Sequence, residues 1–297
     1  MITKTAMITI TGRANVGKST LTNLLTGDKV AIVSPKPQTT RNRIFGVFTY
    51  DNTQMILLDT PGFHKAKTRL GEYMVGVVRQ SIIDVDAIML MVEPVDNIGT
   101  QEELLIKLIE KSGAPAVLVI NKIDTVDVNE ALPIIERYSE RYDFDAIIPV
   151  SAKKNDGIPQ LLEVLNKYGK QGPQLFPDGM TTDQAEKQII AEIIREKLLI
   201  CMDLEIPHGT AVEITKFTER ENEDIIDIDA TIYCDRKSHK GMIIGKKGAM
   251  LKKIGQYARE DIERFMGAKV FLQTWVKVKE NWRDSTSAIR SFGYNKS

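Results

Sequence analysis

The chain has 297 residues, 42% hydrophobic and 27% charged, the make-up of a folded globular protein long enough for about two domains. Its 40 Lys and Arg balance 40 Asp and Glu, so no global field draws it to nucleic acid and any such signal has to be local. No apolar run is long enough to cross a bilayer, no signal-peptide core opens the sequence, and the 2 cysteines, Cys201 and Cys234, have no metal or redox spacing. These features read as a soluble cytoplasmic protein with reduced thiols, still able to touch a membrane surface.

The first half alternates short apolar runs with helical patterns. AMITIT ends at Gly12, TQMILLDT runs into Pro61, DAIMLMVEP follows a helical stretch, APAVLVI ends at Asn121, and DAIIPV ends at Ser151. Runs this apolar, rich in β-branched residues and separated by helices, predict a buried, mostly parallel sheet. The exception is IFGVFTYDNTQMILLDT, where two runs meet at YDNT and an antiparallel hairpin is expected. In an open α/β sheet the ligand lies beyond the carboxyl ends of the strands. The residues at those ends carry the chemistry.

The first is Gly12-Arg13-Ala14-Asn15-Val16-Gly17-Lys18-Ser19-Thr20, a G-x-x-x-x-G-K-[ST] loop between a strand and a helix. Its glycines let backbone N–H groups converge on phosphate, and the helix that follows adds its positive end. Lys18 would reach the β and γ phosphates, and Ser19 would hold Mg²⁺. The second is Asp59-Thr60-Pro61-Gly62, which places a carboxylate at a strand tip as a further Mg²⁺ contact and the Gly62 N–H near the γ-phosphate. The third is Asn121-Lys122-Ile123-Asp124. Asp124 can accept from the two N–H donors on one edge of guanine. Adenine lacks both, so the carboxylate would be left unpaired against it. Asn121 and the Lys122 stem would brace the loops and cover the ring. The fourth is Ser151-Ala152-Lys153, whose backbone N–H groups would meet the guanine carbonyl oxygen; its value is its place after the last strand of the series.

These four motifs in order resemble the P-loop GTPases over the whole first half. The resemblance implies GTP and GDP as ligands and a switch threonine completing Mg²⁺ coordination. Thr39 and Thr40 of SPKPQTTRNR compete for that role, and Thr40 is preferred. Lys18, Thr40 and Gly62 are then the catalytic set. Where Ras-like members carry a water-orienting glutamine, this chain has Phe63, which cannot hydrogen-bond water, so slow intrinsic turnover is expected. His64 and Asn15 are two candidates to fill the gap. Members with asparagine at the position of Asn15 often bind K⁺ there, so the resemblance implies K⁺ as a further ion.

KQGPQLFPDGMTTDQ, with its glycines and prolines and no periodicity, reads as a linker, giving a GTPase domain over 1–169, a linker over 170–182 and a second domain over 183–297. The second domain reads as a helix capped by Thr182 or Asp183, two alternating strands joined at ENED, a loop and helix, and a last strand. Between strands and helix stands GMIIGKKGAMLKK. It is no second Walker loop, because its glycines are one residue too close and Lys247 takes the place of the hydroxyl. It fits the G-x-x-G loop of a KH domain, which clamps about four single-stranded nucleotides. Gly245 and Gly248 would let the RNA backbone approach, Lys246, Lys247 and Lys252 would meet phosphates, and Ile243 and Ile244 would floor the groove. No acidic residue occurs from Arg236 to Lys253, a local basic stripe in a neutral chain.

A P-loop GTPase half followed by this KH half resembles the bacterial Era family over the whole chain. The resemblance implies a type II KH fold and binding near the 3′ end of small-subunit ribosomal RNA. It also implies a role in maturation of the small ribosomal subunit, with the GTP state governing RNA engagement and no stable oligomer. Peripheral contact with the inner face of the cell membrane is implied as well. The alternative is a membrane-associated GTPase switch whose KH half serves protein or lipid contacts. The aromatic, basic tail with Trp282, Phe292 and Tyr294 would pack back on its own domain, or contact RNA or lipid.

Overall fold

The computed structural model describes residues 2–203, 206–221 and 223–294. The chain divides into two compact units, Met1–Ala31 with Thr40–Lys65 and Tyr73–Asp183, and Ile32–Thr39 with Ala66–Glu72 and Gln184–Ser297.

The elements of the first half are β1 (Lys4–Thr11), α1 (Lys18–Thr26), β2 (Ile44–Tyr50), β3 (Thr53–Asp59), α2 (Arg69–Ser81), β4 (Ala87–Val92), α3 (Thr100–Ser112), β5 (Ala116–Asn121), α4 (Val128–Arg141), β6 (Ala146–Val150), α5 (Ile158–Asn166) and β7 (Lys170–Gln171). The strands form one sheet in the order β2-β3-β1-β4-β5-β6, parallel throughout except for the expected β2–β3 hairpin. Every residue of β3, β4 and β5 is buried, which follows from helices covering both faces. Alternation within a strand feeds two cores. Ala87, Met89 and Met91 of β4 face one, and Ile88, Leu90 and Val92 face the other. This crossover order puts the ends of β1, β3, β5 and β6 together at one edge.

The stretch 170–182, expected as a linker, is fastened to the first unit. β7 pairs antiparallel with Lys4 and Thr5 of β1, positions that β4 does not reach because its own pairing begins at Ile8. Gln54 donates to the Phe176 carbonyl at 2.8 Å and accepts from the Leu175 and Phe176 N–H groups at 2.9 and 3.0 Å. On the outer strand β2, the Val47 N–H donates to the Thr181 carbonyl at 2.8 Å. An edge strand has unpaired backbone groups, and the segment satisfies them.

The second unit contains α6 (Glu186–Cys201), β8 (Thr210–Glu219), β9 (Ile225–Cys234), α7 (Lys237–Ile244), α8 (Ala249–Met266), β10 (Lys269–Val278) and α9 (Thr286–Ser291). Its sheet runs β10-β9-β8, with β8 antiparallel and β10 parallel to β9. Ile190, Ile193 and Ile194 of α6 and Ile254, Ala258 and Ile262 of α8 pack on Ile228 and Ile232 of β9. Two expectations are corrected. α6 starts at Glu186 with Ala185 at its cap position and no side-chain cap, so Thr182 and Asp183 both lie upstream of the cap. The segment after β9, expected as a loop, is helical from Lys237, which turns Ile243 into the core.

Within this unit the segment 32–39 is held by α6. The Val33 N–H donates to Glu196 at 2.9 Å, and the fully buried Arg195 donates to the Thr39 carbonyl and pairs with Glu192. Residues 66–72 meet the tail, where Arg69 donates from its N–H to Asp284 at 3.1 Å and from its guanidinium to Thr286 at 2.9 Å. The tail packs back on its own unit. Trp282 is fully buried, donates to the Gly209 carbonyl at 2.9 Å and meets Phe292 edge-on at 5.2 Å. The last three residues of the tail and Asn222 of the expected ENED turn lie outside the described residues. Cys201 and Cys234 are both free thiols. Among the described residues no helix is long and apolar enough to cross a membrane.

Candidate functional site

The loop from Gly12 to Thr20 joins β1 to α1 in the first unit, at the edge where the strand ends gather. Two of its glycines are required by space as well as by φ. A Cβ on Gly12 would lie 2.2 Å from the Met91 carbonyl oxygen, and one on Gly17, at φ 103°, would lie 2.1 Å from the Asn121 amide nitrogen. Lys18 begins α1 and is buried, its Nζ donating to the Arg13 and Gly12 carbonyls at 2.7 and 3.2 Å. Burial pulls it down to about 8, against the pull of the Asp59 charge.

Beside it three oxygen-bearing side chains converge. Ser19 Oγ donates to Asp59 Oδ2 at 2.6 Å and lies 2.9 Å from Thr40 Oγ1. Burial pushes Asp59 up to about 6, with Lys18 opposing the shift. Its other oxygen, Oδ1, is buried with no hydrogen-bond partner among the described residues. Two hydroxyls and a carboxylate with one buried, unpartnered oxygen are hard oxygen donors of the kind Mg²⁺ takes, and the ion's charge would favour the ionised Asp59. Ser19, Thr40 and Asp59 would hold Mg²⁺ there, and the ion would supply positive charge to offset that of a phosphate. No cluster of three His, Cys, Asp or Glu side chains suited to a metal occurs among the described residues, so this hydroxyl-rich set is of a different kind. The competition between the two threonines has a geometric answer: Thr39 Oγ1 is spent on the Lys36 carbonyl at 2.6 Å, whereas Thr40 faces Ser19.

Gly62 passes directly against the phosphate loop. A Cβ there would lie 2.6 Å from the α-carbon of Ala14, and the next N–H, that of Phe63, donates to the Gly12 carbonyl at 3.0 Å. Phe63 is 5% exposed and belongs to the core with Val78, Ile82 and Val92, so it orients no water. His64 Nδ1 lies 2.9 Å from the Gly62 carbonyl. That contact makes Nδ1 the donor and leaves Nε2, itself buried, as an acceptor.

Asn121, at the end of β5, ties two loops together. Its amide donates to the Val16 carbonyl at 2.8 Å and its oxygen accepts from the Ala152 N–H at 3.0 Å. Asp124 Oδ1 accepts from Ser151 Oγ at 2.6 Å, and that bond holds its carboxyl below the usual carboxylate range. Lys122, in the left-handed region at φ 65°, pairs with Glu93. Lys153 and Asn15 are exposed, and Thr20 is half-buried on the first turn of α1. Sequence reasoning missed the supports of this site. Arg13 pairs with the nearly buried Glu102 and lies 3.6 Å from Glu93, and the Ser151 hydroxyl orients Asp124. Nothing in the spacing of Arg13, Glu93 and Glu102 marks them, because they lie on three separate elements.

In the second unit the G-x-x-G loop joins α7 to α8. Gly245 has φ 71° and ψ 177°, Gly248 has φ 80°, and Lys247 is itself at φ 52°. Lys246, Lys247 and Lys252 are exposed and Ile244 is half-buried. Ile243, expected to floor a groove, is 0% exposed and packs inside the core, so no ligand reaches it. Helical spacing is the reason: α7 turns Ile243 fully into the core and leaves Ile244 only partly packed against it. Met242, 52% exposed, is the accessible apolar neighbour.

The fold and the two loops define a P-loop nucleotide-binding domain followed by a KH domain. The family models agree, one described as a 50S ribosome-binding GTPase over residues 7–122 and one as a KH domain over residues 205–283. The chain is 52% identical to GTPase Era of Ruminiclostridium cellulolyticum over 291 residues, 98% of this chain and 97% of the relative. It is 48% identical to GTPase Era of Clostridium kluyveri over 98% of this chain and 99% of the relative. Two solved structures match with a TM-score of 0.95 at 38% identity, covering 99% of this chain and 100% of theirs. One is a tyrosine-to-alanine variant of Aquifex aeolicus Era bound to GDP and AlF4⁻, the other Era with MgGDPNP and nucleotides 1506–1542 of 16S ribosomal RNA. The chain belongs to the GTPase Era family, which is a family of GTP hydrolases.

Proposed function

We propose that this protein binds GTP with Mg²⁺ and hydrolyses it slowly. We further propose that it uses the nucleotide state to govern binding of small-subunit ribosomal RNA near its 3′ end, assisting maturation of that subunit. The observation that carries the reading is the contrast between its two glycine loops. The first has a buried lysine and a Ser19–Thr40–Asp59 oxygen set suited to Mg²⁺ and a triphosphate. The second has exposed lysines, no hydroxyl after them and an apolar neighbour. The solved relative holds MgGDPNP and 16S ribosomal RNA together, which supports assigning one ligand to each loop. The model matched by the first half names the large subunit, but the RNA in that full-length relative is from the small one.

In this reading Lys18 and the loop N–H groups hold the β and γ phosphates, Ser19, Thr40 and Asp59 hold the metal, and Asp124 selects guanine. Buried Phe63 accounts for slow turnover. An RNA partner of this kind places its work in the cytoplasm. Sequencing RNA crosslinked to the protein with GTP and with GDP bound tests the reading. Enrichment of the 3′ end of 16S RNA that depends on the nucleotide is expected, and crosslinks scattered over unrelated RNAs in both states would contradict it.

A further inference from the structure

β10 is one of the two edge strands of the three-stranded sheet, and among the described residues only its inner face is packed into the core. Val270, Leu272, Val276 and Val278 point into the core. The alternate residues Lys269, Phe271, Gln273, Trp275 and Lys277 are exposed, Phe271 at 48% and Trp275 at 44%. Two aromatic side chains, about 13 Å apart along the strand with Gln273 between them, are thus flanked by a lysine at each end of the row at the strand's two-residue period. Lys279 continues the row, stacking its ammonium on Tyr233 and Phe292 at 5.7 and 4.6 Å. At the other end the Arg220 guanidinium sits 5.7 Å from the Phe271 ring centroid and pairs with Asp227, the residue in register with Phe271. Lys216 takes the same carboxylate at 3.3 Å. The charge of Asp227 is therefore already met by two cations; Asp229 stands in register with Gln273 between the rings, while Lys269 and Lys277 sit at the ends of the row opposite Ile225 and Tyr233, away from both carboxylates.

We infer that the outer face of β10, through Phe271 and Trp275 flanked by Lys269 and Lys277, is a second RNA-contact surface that stacks bases outside the G-x-x-G groove. Aromatic rings with interspersed cations fit nucleobases and phosphates, and a ring accepts any base because every base has a π-face. The inference rests on the reading that this unit binds RNA, and extends it. The RNA in the solved relative runs from 1506 to 1542, that is 1542 − 1506 + 1 = 37 nucleotides. A G-x-x-G groove clamps about four of them. An RNA of that length needs further surface, and the exposed face of β10 belongs to the same compact unit as the loop.

Trp275 is its own reporter, because the other of the 2 tryptophans, Trp282, is fully buried. The full chain is titrated with that 37-nucleotide RNA and with a strand of about ten nucleotides from its 3′ end, long enough for one groove. Emission is read together with fluorescence anisotropy of the labelled RNA. Quenching of tryptophan emission by the long RNA is expected. Phe271→Ala with Trp275→Ala should weaken the long RNA by roughly 5- to 100-fold per stacked base, leaving the short strand and GTP turnover unchanged. Trp275→Phe, which keeps a ring, should restore the affinity while abolishing the quench. Parental binding of the long RNA by the double variant, with no quench in the parent, overturns this inference and leaves the proposed function standing. Failure of the parent to bind either RNA overturns both. Quenching by anionic vesicles or by protein concentration, with none by RNA, also overturns it, in favour of a membrane or a second copy.

Discussion

Guanine selection can be tested at one atom. Asp124 Oδ1 is engaged by the Ser151 hydroxyl at 2.6 Å, and Oδ2 lies 4.0 Å from the exposed Lys154 ammonium. Asp124→Asn keeps the shape. The Ser151 hydroxyl can still donate to the remaining carbonyl oxygen, which turns the new amide N–H₂ toward the base. Guanine presents N–H donors there, so a charge-assisted pair becomes a donor facing a donor. Hydrogen bonds to charged groups contribute about 1.5–3 kcal/mol each. Allowing for what the amide oxygen retains, the loss is about 2–4 kcal/mol, or about 30- to 1,000-fold in GTP affinity. Xanthine carries a carbonyl where guanine has its amine, so the variant should favour XTP over GTP. Competition titrations with a fluorescent guanine nucleotide against GTP, ATP and XTP measure all three. Unchanged GTP affinity together with an unchanged GTP-over-ATP preference would refute the assignment of Asp124.

Phe63→Gln should not speed hydrolysis, because position 63 lies in the core; burying an amide there should cost about 2–4 kcal/mol, read by urea denaturation beside phosphate release. Faster turnover in that variant would mean the side chain reaches the nucleotide after all. GTP turnover should be higher in KCl than in NaCl if exposed Asn15 helps to hold K⁺ beside the phosphates; equal rates remove the K⁺ role. Gly245→Ala places a Cβ 2.7 Å from Met250 Cβ at φ 71°, so it should weaken RNA binding and cost about 1–3 kcal/mol of stability, with GTP turnover retained.

The motifs of the proposed nucleotide site stand out in the sequence because they sit at strand ends, where spacing along the chain and position in space coincide. Gly12 to Ser19, Asp59, Asn121 and Ser151 are each local. Thr40 is preferred over Thr39 in the sequence, and the structure adds a physical distinction between them, since the Thr39 hydroxyl donates to the Lys36 carbonyl while that of Thr40 meets Ser19. What stayed hidden was non-local. Arg13 with Glu102, and Arg195 with the Thr39 carbonyl, join elements far apart in sequence. The segment 170–182 has the composition of a linker, and composition cannot register that an open strand edge and Gln54 wait for it. Ile243 was expected on a groove floor because GMIIG in a loop exposes both isoleucines, whereas the helix over Lys237–Ile244 buries Ile243 and leaves Ile244 partly buried. KVFLQTWVKV reads in sequence only as a last strand, and its composition does not say that Phe271 and Trp275 stay about half exposed on the outer side.

The central claim is that two glycine loops serve two ligands, GTP at Gly12–Ser19 and RNA at Gly245–Gly248. The most direct measurement pairs GTP turnover with binding of the 16S 3′-end RNA in one variant, Lys246→Asp with Lys247→Asp. Both side chains are exposed, so the fold should hold. The account predicts that RNA binding is lost at moderate salt while basal GTP turnover stays at the parental rate. Parental RNA binding in that variant would contradict it.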